Sequence, residues 1–147
     1  MKISRLFHDK VKNEVLKHLG LKDYFQLNDR LDGVFFFKKV LKNSIGIDLF
    51  EKQYQVNLGK NSFLNSNPVF NFNGDRIYIL TIFFDEKIFI PDLEVDYFFV
   101  FGVSRDFFNG RFLGKVSMSK INLLNSEKVN TGVLSYLCEF NLSDLEN

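Results

Sequence analysis

The stretch "VDYFFVFGVS", residues 95–104, constrains the fold more than any other feature, because it is apolar almost without interruption. A strand that is apolar on both faces is buried on both faces, so residues 95–103 are predicted to form a central strand of a sheet. The segment "GRFLGKVSM" then predicts a hairpin partner for this strand across the turn "RDFFNG".

The beginning of the chain has helical periodicity. Residues 3–19 predict an amphipathic helix that ends at Gly20 and packs on the sheet. At 100° per residue its apolar stripe consists of Ile3, Phe7, Val11, Val15 and Leu19. Glu14 and His18 project into that stripe, and a carboxylate on a buried face costs free energy unless it is paired or bound to a cation. Glu14 is therefore the unusual charge of this helix.

The rest of the chain has a β-like pattern of short apolar runs separated by turn residues. Strands are predicted for "DGVFFFKKVL", "SIGIDLFE", "QYQVNLG", "RIYILTIFF", "KIFIPD" and "GVLSYLCEFNL". Asn73-Gly74 and residues 85–87 predict turns, and "SKINLLNSEK" predicts a short helix. Residues 1–147 are thus expected to form a single α+β domain, an N-terminal helix packed on a mixed, mostly antiparallel sheet.

Composition bounds the class of protein. The single Cys138 excludes an intramolecular disulfide, and with no signal peptide and no run long enough to span a membrane, a cytoplasmic protein is expected. Residues 1–60 carry 12 Lys or Arg against 7 Asp or Glu, whereas residues 61–147 carry 7 against 11. The basic segment 1–60 forms either a surface that attracts nucleic acid or ordinary solvent-exposed surface. Because 16% of the residues are aromatic, we expect the core of one domain to leave some aromatic side chains exposed. We therefore also expect a homo-oligomer that buries these side chains.

This sequence lacks the motifs of several classes of enzyme. A phosphate-binding loop, a Gly-x-Ser-x-Gly elbow and a His-Glu-x-x-His helix are all absent. Cys138 lies in an apolar run, where a cysteine is usually an unreactive core residue.

One constellation fits metal-dependent chemistry. Magnesium binds one or two carboxylates together with waters and substrate phosphate, and a β-hairpin that carries acids, an amide and a lysine supplies such a set. On the strands predicted here, Asp48 lies on the first strand, and Gln55, Asn57 and Lys60 lie on the next. Glu14 on the inner face of the preceding helix would complete the set.

This order of elements resembles the PD-(D/E)XK restriction-endonuclease-like nucleases, in which a helix with Glu precedes a strand with Asp and a strand with Glu or Gln and Lys. The later segments "DYFFVFGVSRDFFNGRFLGKVSMSKI" and "YLCEFNLSDL" extend the similarity. The resemblance implies a magnesium-dependent endonuclease that hydrolyses double-stranded DNA. It implies Glu14 and Asp48 as metal ligands, and Gln55 and Lys60 beside them in the catalytic site.

Other assignments of the acids are open. The acid-x-Lys tripeptide of that family is absent at Asn57, where Gly59 stands in the lysine position. One alternative pairs Asp32 with Asp48, and another combines Asp75 with the tripeptide at residues 85–87. A non-catalytic protein of phage or mobile-element origin that binds and inhibits a protein partner, or an oligomeric structural subunit, is the alternative to an enzyme.

Overall fold

The chain folds as an α+β protein in the computed structural model, which describes residues 1–29, 32–59, 63–64, 68–124, 129–130 and 135–146. The α-helices of this part are α1 (Arg5–Leu19), α2 (Tyr24–Asn28), α3 (Gly33–Tyr54) and α4 (Met118–Leu124). The strands are β1 (Val69–Phe72), β2 (Asp75–Phe83), β3 (Ile88–Pro91), β4 (Tyr97–Val103), β5 (Gly110–Ser117), β6 (Val129–Asn130) and β7 (Ser135–Phe140).

The predicted N-terminal helix is confirmed. Ser4 caps α1 by accepting a hydrogen bond from the Phe7 N–H at 3.2 Å, and Gly20 ends it in the left-handed conformation at φ 69°. Val11 and Val15 are fully buried, as the stripe requires, whereas His18 is exposed. The predicted contact with the sheet needs correction, because α1 packs mainly against α3 and α3 is the helix that lies on the sheet.

Helix α3 replaces three predicted strands. Residues 32–41 and 44–51 lie almost wholly within this 22-residue helix, and residues 53–59 form its last turn and the irregular segment after it. The strand predictions were wrong because α3 is covered by α1 on one side and by the sheet on the other, so it is apolar around much of its circumference. Such a run has no clear helical period and is read as a buried strand.

The predicted mixed sheet is confirmed as a four-stranded sheet, but two of the predicted strands, β3 and β7, lie in a second sheet. The order of the four-stranded sheet is β1-β2-β4-β5, with β2 and β4 parallel and the other two pairs antiparallel. Asn73 and Gly74 form the β1–β2 turn with positive φ values of 51° and 84°, which is the geometry that favours this dipeptide in a two-residue hairpin. β4 is an interior strand, as predicted. A second, antiparallel sheet has the order β3-β7-β6, with Cys138 on β7.

The core lies on both faces of β4. Phe99, Phe101 and Val103 belong to the cluster between the sheet and the helices, together with Phe50 of α3. The alternate residues of β4 pack on the opposite side with residues of β3 and α4, namely Phe98, Val100, Ile88, Ile90 and Ile121. In the described ranges, none of the helices has the length and apolar character that crossing a membrane would need.

Candidate functional site

Glu14 holds a loop in place. Its Oε2 atom accepts a hydrogen bond of 3.2 Å from the backbone N–H of Phe63, and the Ser44 hydroxyl donates to the Phe63 carbonyl at 3.2 Å. The unusual acid of α1 is thus satisfied by a backbone donor, which is one of the ways in which a protein stabilises a carboxylate on an inner face.

Asp48 lies on α3 and not on a strand, so its predicted position in a hairpin was wrong. Its Oδ2 atom forms an ion pair of 2.9 Å with Lys52, one helical turn later, and its side chain is 28% exposed. This i, i+4 arrangement of acid before base is the favourable one on a helix. The neighbouring Glu51 accepts a hydrogen bond of 3.1 Å from the Leu58 N–H and so fixes the segment after α3.

The other two predicted site residues do not form a strand either. Gln55 is exposed and ends α3 in the left-handed conformation at φ 54°. Lys60 lies outside the described residues. Among the residues that the structure describes, no three His, Cys, Asp or Glu side chains form a group that could hold a metal ion. The hairpin predicted to carry Asp48 and Gln55 is a helix and its C-terminal cap.

The alternative acids are also separated. Asp75 begins β2, whereas Asp85 lies beyond its other end and pairs with Arg105 at 2.9 Å. The two ends of β2 are about 26 Å apart at roughly 3.3 Å per residue, so the two acids are too far apart to share one metal ion. Asp32 is exposed just before α3. Asp75 instead shares a cleft of about 120 Å³ with Lys115, whose Nζ is 5.5 Å from the centroid of the Tyr97 ring.

A larger concave surface lies between the end of α1 and the start of α3. This aromatic groove is open, has a volume of about 640 Å³, and is lined by His18, Leu19, Asp32, Gly33, Phe35, Phe36 and Lys39. Phe35 is 78% exposed within it. The sequence carried a signal for this surface in the run of three phenylalanines at 35–37, which the strand prediction assigned to a sheet.

Ring contacts are made both by residues of the aromatic groove and by the adjoining α2. The His18 imidazole stacks on Phe36, with ring centroids 6.0 Å apart and planes 27° apart. On the adjoining α2, the Tyr24 ring packs edge-on against Phe37 at 6.2 Å. Phe25 of the same short helix is 81% exposed. Two almost fully exposed phenylalanines in one region are unusual for a surface that only faces solvent.

Lysines continue the exposed face of α3 beyond Phe35. Lys38, Lys39 and Lys42 follow Phe35 by three, four and seven residues, so they lie on the same side of the helix. Lys42 pairs with Glu86 at 3.7 Å. Lys38 and Lys39 are exposed, and they have no ion-pair partner within the part of the chain that the structure describes. The aromatic groove therefore continues into a basic helix face.

Among the described residues, the Asp106 carboxyl and the Tyr54 hydroxyl have shifted pKa values, and local structure explains both. The hydroxyl of Ser104, which donates to Asp106 Oδ1 at 2.6 Å, and the backbone N–H of Phe108 lower the pKa of the Asp106 carboxyl. These bonds hold the β4–β5 turn, in which Phe107 has a left-handed φ of 65°. Burial among phenylalanines raises the pKa of the Tyr54 hydroxyl. Neither group lines the aromatic groove.

Comparison with known proteins gives no matching family model, no matching curated protein and no matching solved structure, so the candidate site is defined by geometry alone.

Proposed function

We propose that this chain is a non-catalytic binding protein that holds a polypeptide partner in the aromatic groove. The observation that carries the proposal is Phe35, a large apolar side chain that is 78% exposed on a rigid helix beside a concave surface. Aromatic anchors of this kind supply most of the binding energy of protein interfaces. The alternative of a protein that binds and inhibits a protein partner is consistent with this surface.

The contacts of the acids predicted for catalysis also favour a binding protein over an enzyme. Glu14 and Asp48 each have a structural partner, Phe63 and Lys52. The β1–β2 hairpin has an acid only at the start of β2, and the stretch of β2 from Ile77 to Phe83 carries neither an acid nor a lysine. We propose that the fold is restriction-endonuclease-like in its order of helix, hairpin and mixed sheet, and that it serves as a scaffold for binding.

Photocrosslinking tests this function. Phe35→p-benzoylphenylalanine places a reactive group in the aromatic groove, and Leu6→p-benzoylphenylalanine is the matched control at another exposed apolar side chain, 72% exposed on α1. We expect irradiated cells of the encoding organism to give protease-sensitive adducts at position 35 and few at position 6. Nuclease-sensitive adducts at position 35, or equal adducts at both positions, would contradict the proposal.

A magnesium-dependent DNA endonuclease is the second candidate. It is favoured by the sheet, in which an antiparallel hairpin adjoins further mixed strands, and by the cleft that contains Asp75 and Lys115. Activity on double-stranded DNA is tested with supercoiled plasmid and Mg²⁺ or Mn²⁺. Loss of cleavage in Asp48→Ala would favour the acids predicted on the resemblance, and loss in Asp75→Ala would favour the cleft. A wild-type protein that cleaves no DNA would contradict the endonuclease and leave binding as the proposed function. The cytoplasmic location and the homo-oligomeric state stay predictions.

A further inference from the structure

A second exposed surface has the opposite charge to the basic face of α3, Lys38 and Lys39, that adjoins the aromatic groove. The acidic loop, residues 92–96 between β3 and β4, exposes Asp92, Glu94 and Asp96 around Leu93, which is itself 36% exposed. Arg76 is the basic residue beside it, and the loop lines an open cleft of about 440 Å³. An exposed leucine surrounded by carboxylates is a small apolar anchor with an acidic rim.

Hydrogen bonds of Asp96 hold the C-terminal end of the acidic loop. The Arg76 N–H donates to Asp96 Oδ2 at 2.7 Å, and the Asp96 N–H donates to the Arg76 carbonyl at 2.7 Å. The Met118 N–H donates to the Asp96 carbonyl at 2.9 Å, and Val95 is buried beneath the loop. A loop that is already ordered loses little conformational entropy on binding.

We propose that the acidic loop of one copy of this chain docks in the aromatic groove of a second copy. This inference rests on the proposed function, since it names the partner of that site. Leu93 contacts the rings of Phe35 and Phe36, and the Glu94 carboxylate lies near Lys38 and Lys39 of the other copy. Both surfaces are exposed in the same chain, so neither covers the other within one molecule.

The distribution of charge favours this head-to-tail arrangement over a symmetric one. Residues 1–60, which include the aromatic groove, carry a surplus of five basic residues, and residues 61–147, which include the acidic loop, carry a surplus of four acidic residues. A two-fold interface of groove on groove would bring Lys38 and Lys39 of the two copies together, whereas groove on loop brings these lysines toward Glu94. Such a heterologous contact forms a ring if its rotation closes and an open chain if it does not.

The contact is tested by complementation of two variants. Phe35→Ser/Lys39→Ser disables the groove and keeps the loop, and Leu93→Ser/Glu94→Ser disables the loop and keeps the groove. We expect the mass of wild type, measured by light scattering, to rise above the 17.2 kDa of one chain with concentration and to fall with added salt. Each variant alone should dissociate at least tenfold more readily, and an equimolar mixture should form a one-to-one complex.

Leu6→Ser is the control outside both surfaces and should associate as wild type does. Circular dichroism checks that each variant is folded, and Lys38→Ser/Lys39→Ser replaces the groove variant if the loss of Phe35 disturbs α3. A wild type that stays monomeric, or variants that stay monomeric when mixed, would overturn the self-docking. If position 35 still crosslinks to another protein in that case, the result supports the proposed function. Only the proposal that the partner is a second copy of this chain is then contradicted.

Discussion

Glu14 and Phe63 are joined by a hydrogen bond of 3.2 Å across 49 residues of sequence, from the backbone N–H of Phe63 to the Glu14 carboxylate. Ser44 binds the carbonyl of the same residue, so α1 and α3 hold one point of the loop from two sides. The Phe63 ring also packs edge-on against Phe7 at 5.3 Å. Glu14, one of the two acids predicted to bind a metal ion, therefore makes a long-range contact between α1 and the loop that contains Phe63.

The two bonds to Phe63 should be energetically coupled. We expect Glu14→Ala and Ser44→Ala each to lower the free energy of unfolding by about 1 kcal/mol or more, since each removes a hydrogen bond to Phe63. The double variant should lose less free energy of unfolding than the two single variants lose together, because the first change already releases the loop. Urea denaturation of the four proteins of the cycle measures this, with Glu14→Gln as a control that keeps an acceptor. Strictly additive losses would show that the two bonds act independently.

Asp48 should contribute little to stability. Its ion pair with Lys52 is a partly exposed i, i+4 contact on one helix, a type worth about 0.3–0.5 kcal/mol. Asp48→Asn is therefore expected to leave the urea midpoint nearly unchanged, and Lys52→Gln should have an equally small effect. A loss of several kcal/mol in Asp48→Asn would mean that this acid has a role beyond the pair with Lys52.

The sequence predicted the β half of the molecule well and the helical layer poorly, for a physical reason. Strands around Asn73-Gly74 and at 95–103 have strong local signals, a turn dipeptide and a continuous apolar run. In α3, the four consecutive residues from Ser44 to Ile47 are all buried, because the helix is enclosed by α1 and the sheet. Burial around the helix in this stretch removes the 3.6-residue period there, and only the 22-residue length of the element argues against a strand. The aromatic groove was missed with it, since its position depends on where α3 begins.

The Asp106 carboxylate should make the β4–β5 turn sensitive to acid. Because hydrogen bonds from Ser104 and Phe108 lower its pKa in the folded state, its contribution to stability is present above the pKa of the unfolded chain. That contribution is lost as the pH falls through the lowered folded value. We expect NMR titration to give Asp106 a pKa below the usual range of aspartate, and Ser104→Ala to raise it. An Asp106 titration that Ser104→Ala does not change would refute the assignment of the cause.

Gly46 should be the least replaceable position of α3. A Cβ atom at this position would overlap Thr81 Oγ1 and lie 3.0 Å from Thr81 Cβ, because helix and sheet approach closely there. We expect Gly46→Ala to destabilise the protein by about 1–3 kcal/mol or more, the usual cost of an overfilled core. Thr81→Ala should restore part of that loss, since it removes the overlapping atom.

The Thr81 hydroxyl itself stabilises nothing within the described residues, where it is buried without a hydrogen-bond partner. Thr81→Ala alone should therefore cost less than the loss of a well-bonded buried hydroxyl, which is about 1–3 kcal/mol. Chemical denaturation of both single variants and the double variant measures the coupling. If Gly46→Ala is as damaging with alanine at position 81 as with threonine, the clash lies elsewhere.

Phe35 should matter for binding and not for folding, which separates a docking residue from a core residue. With 78% of its surface exposed, Phe35 loses little burial when it is replaced, so Phe35→Ser should change the free energy of unfolding by no more than about 0.5 kcal/mol, as at other surface sites. Its neighbour Phe36 stacks on His18 and packs against the core. Phe36→Ser is thus the matched control and should destabilise clearly more, by about 1–3 kcal/mol for a partly buried aromatic side chain. Urea midpoints of both variants, measured below the concentration at which wild type associates, give the comparison. Equal losses at the two positions would mean that Phe35 is packed in solution and that the aromatic groove is not available to a partner.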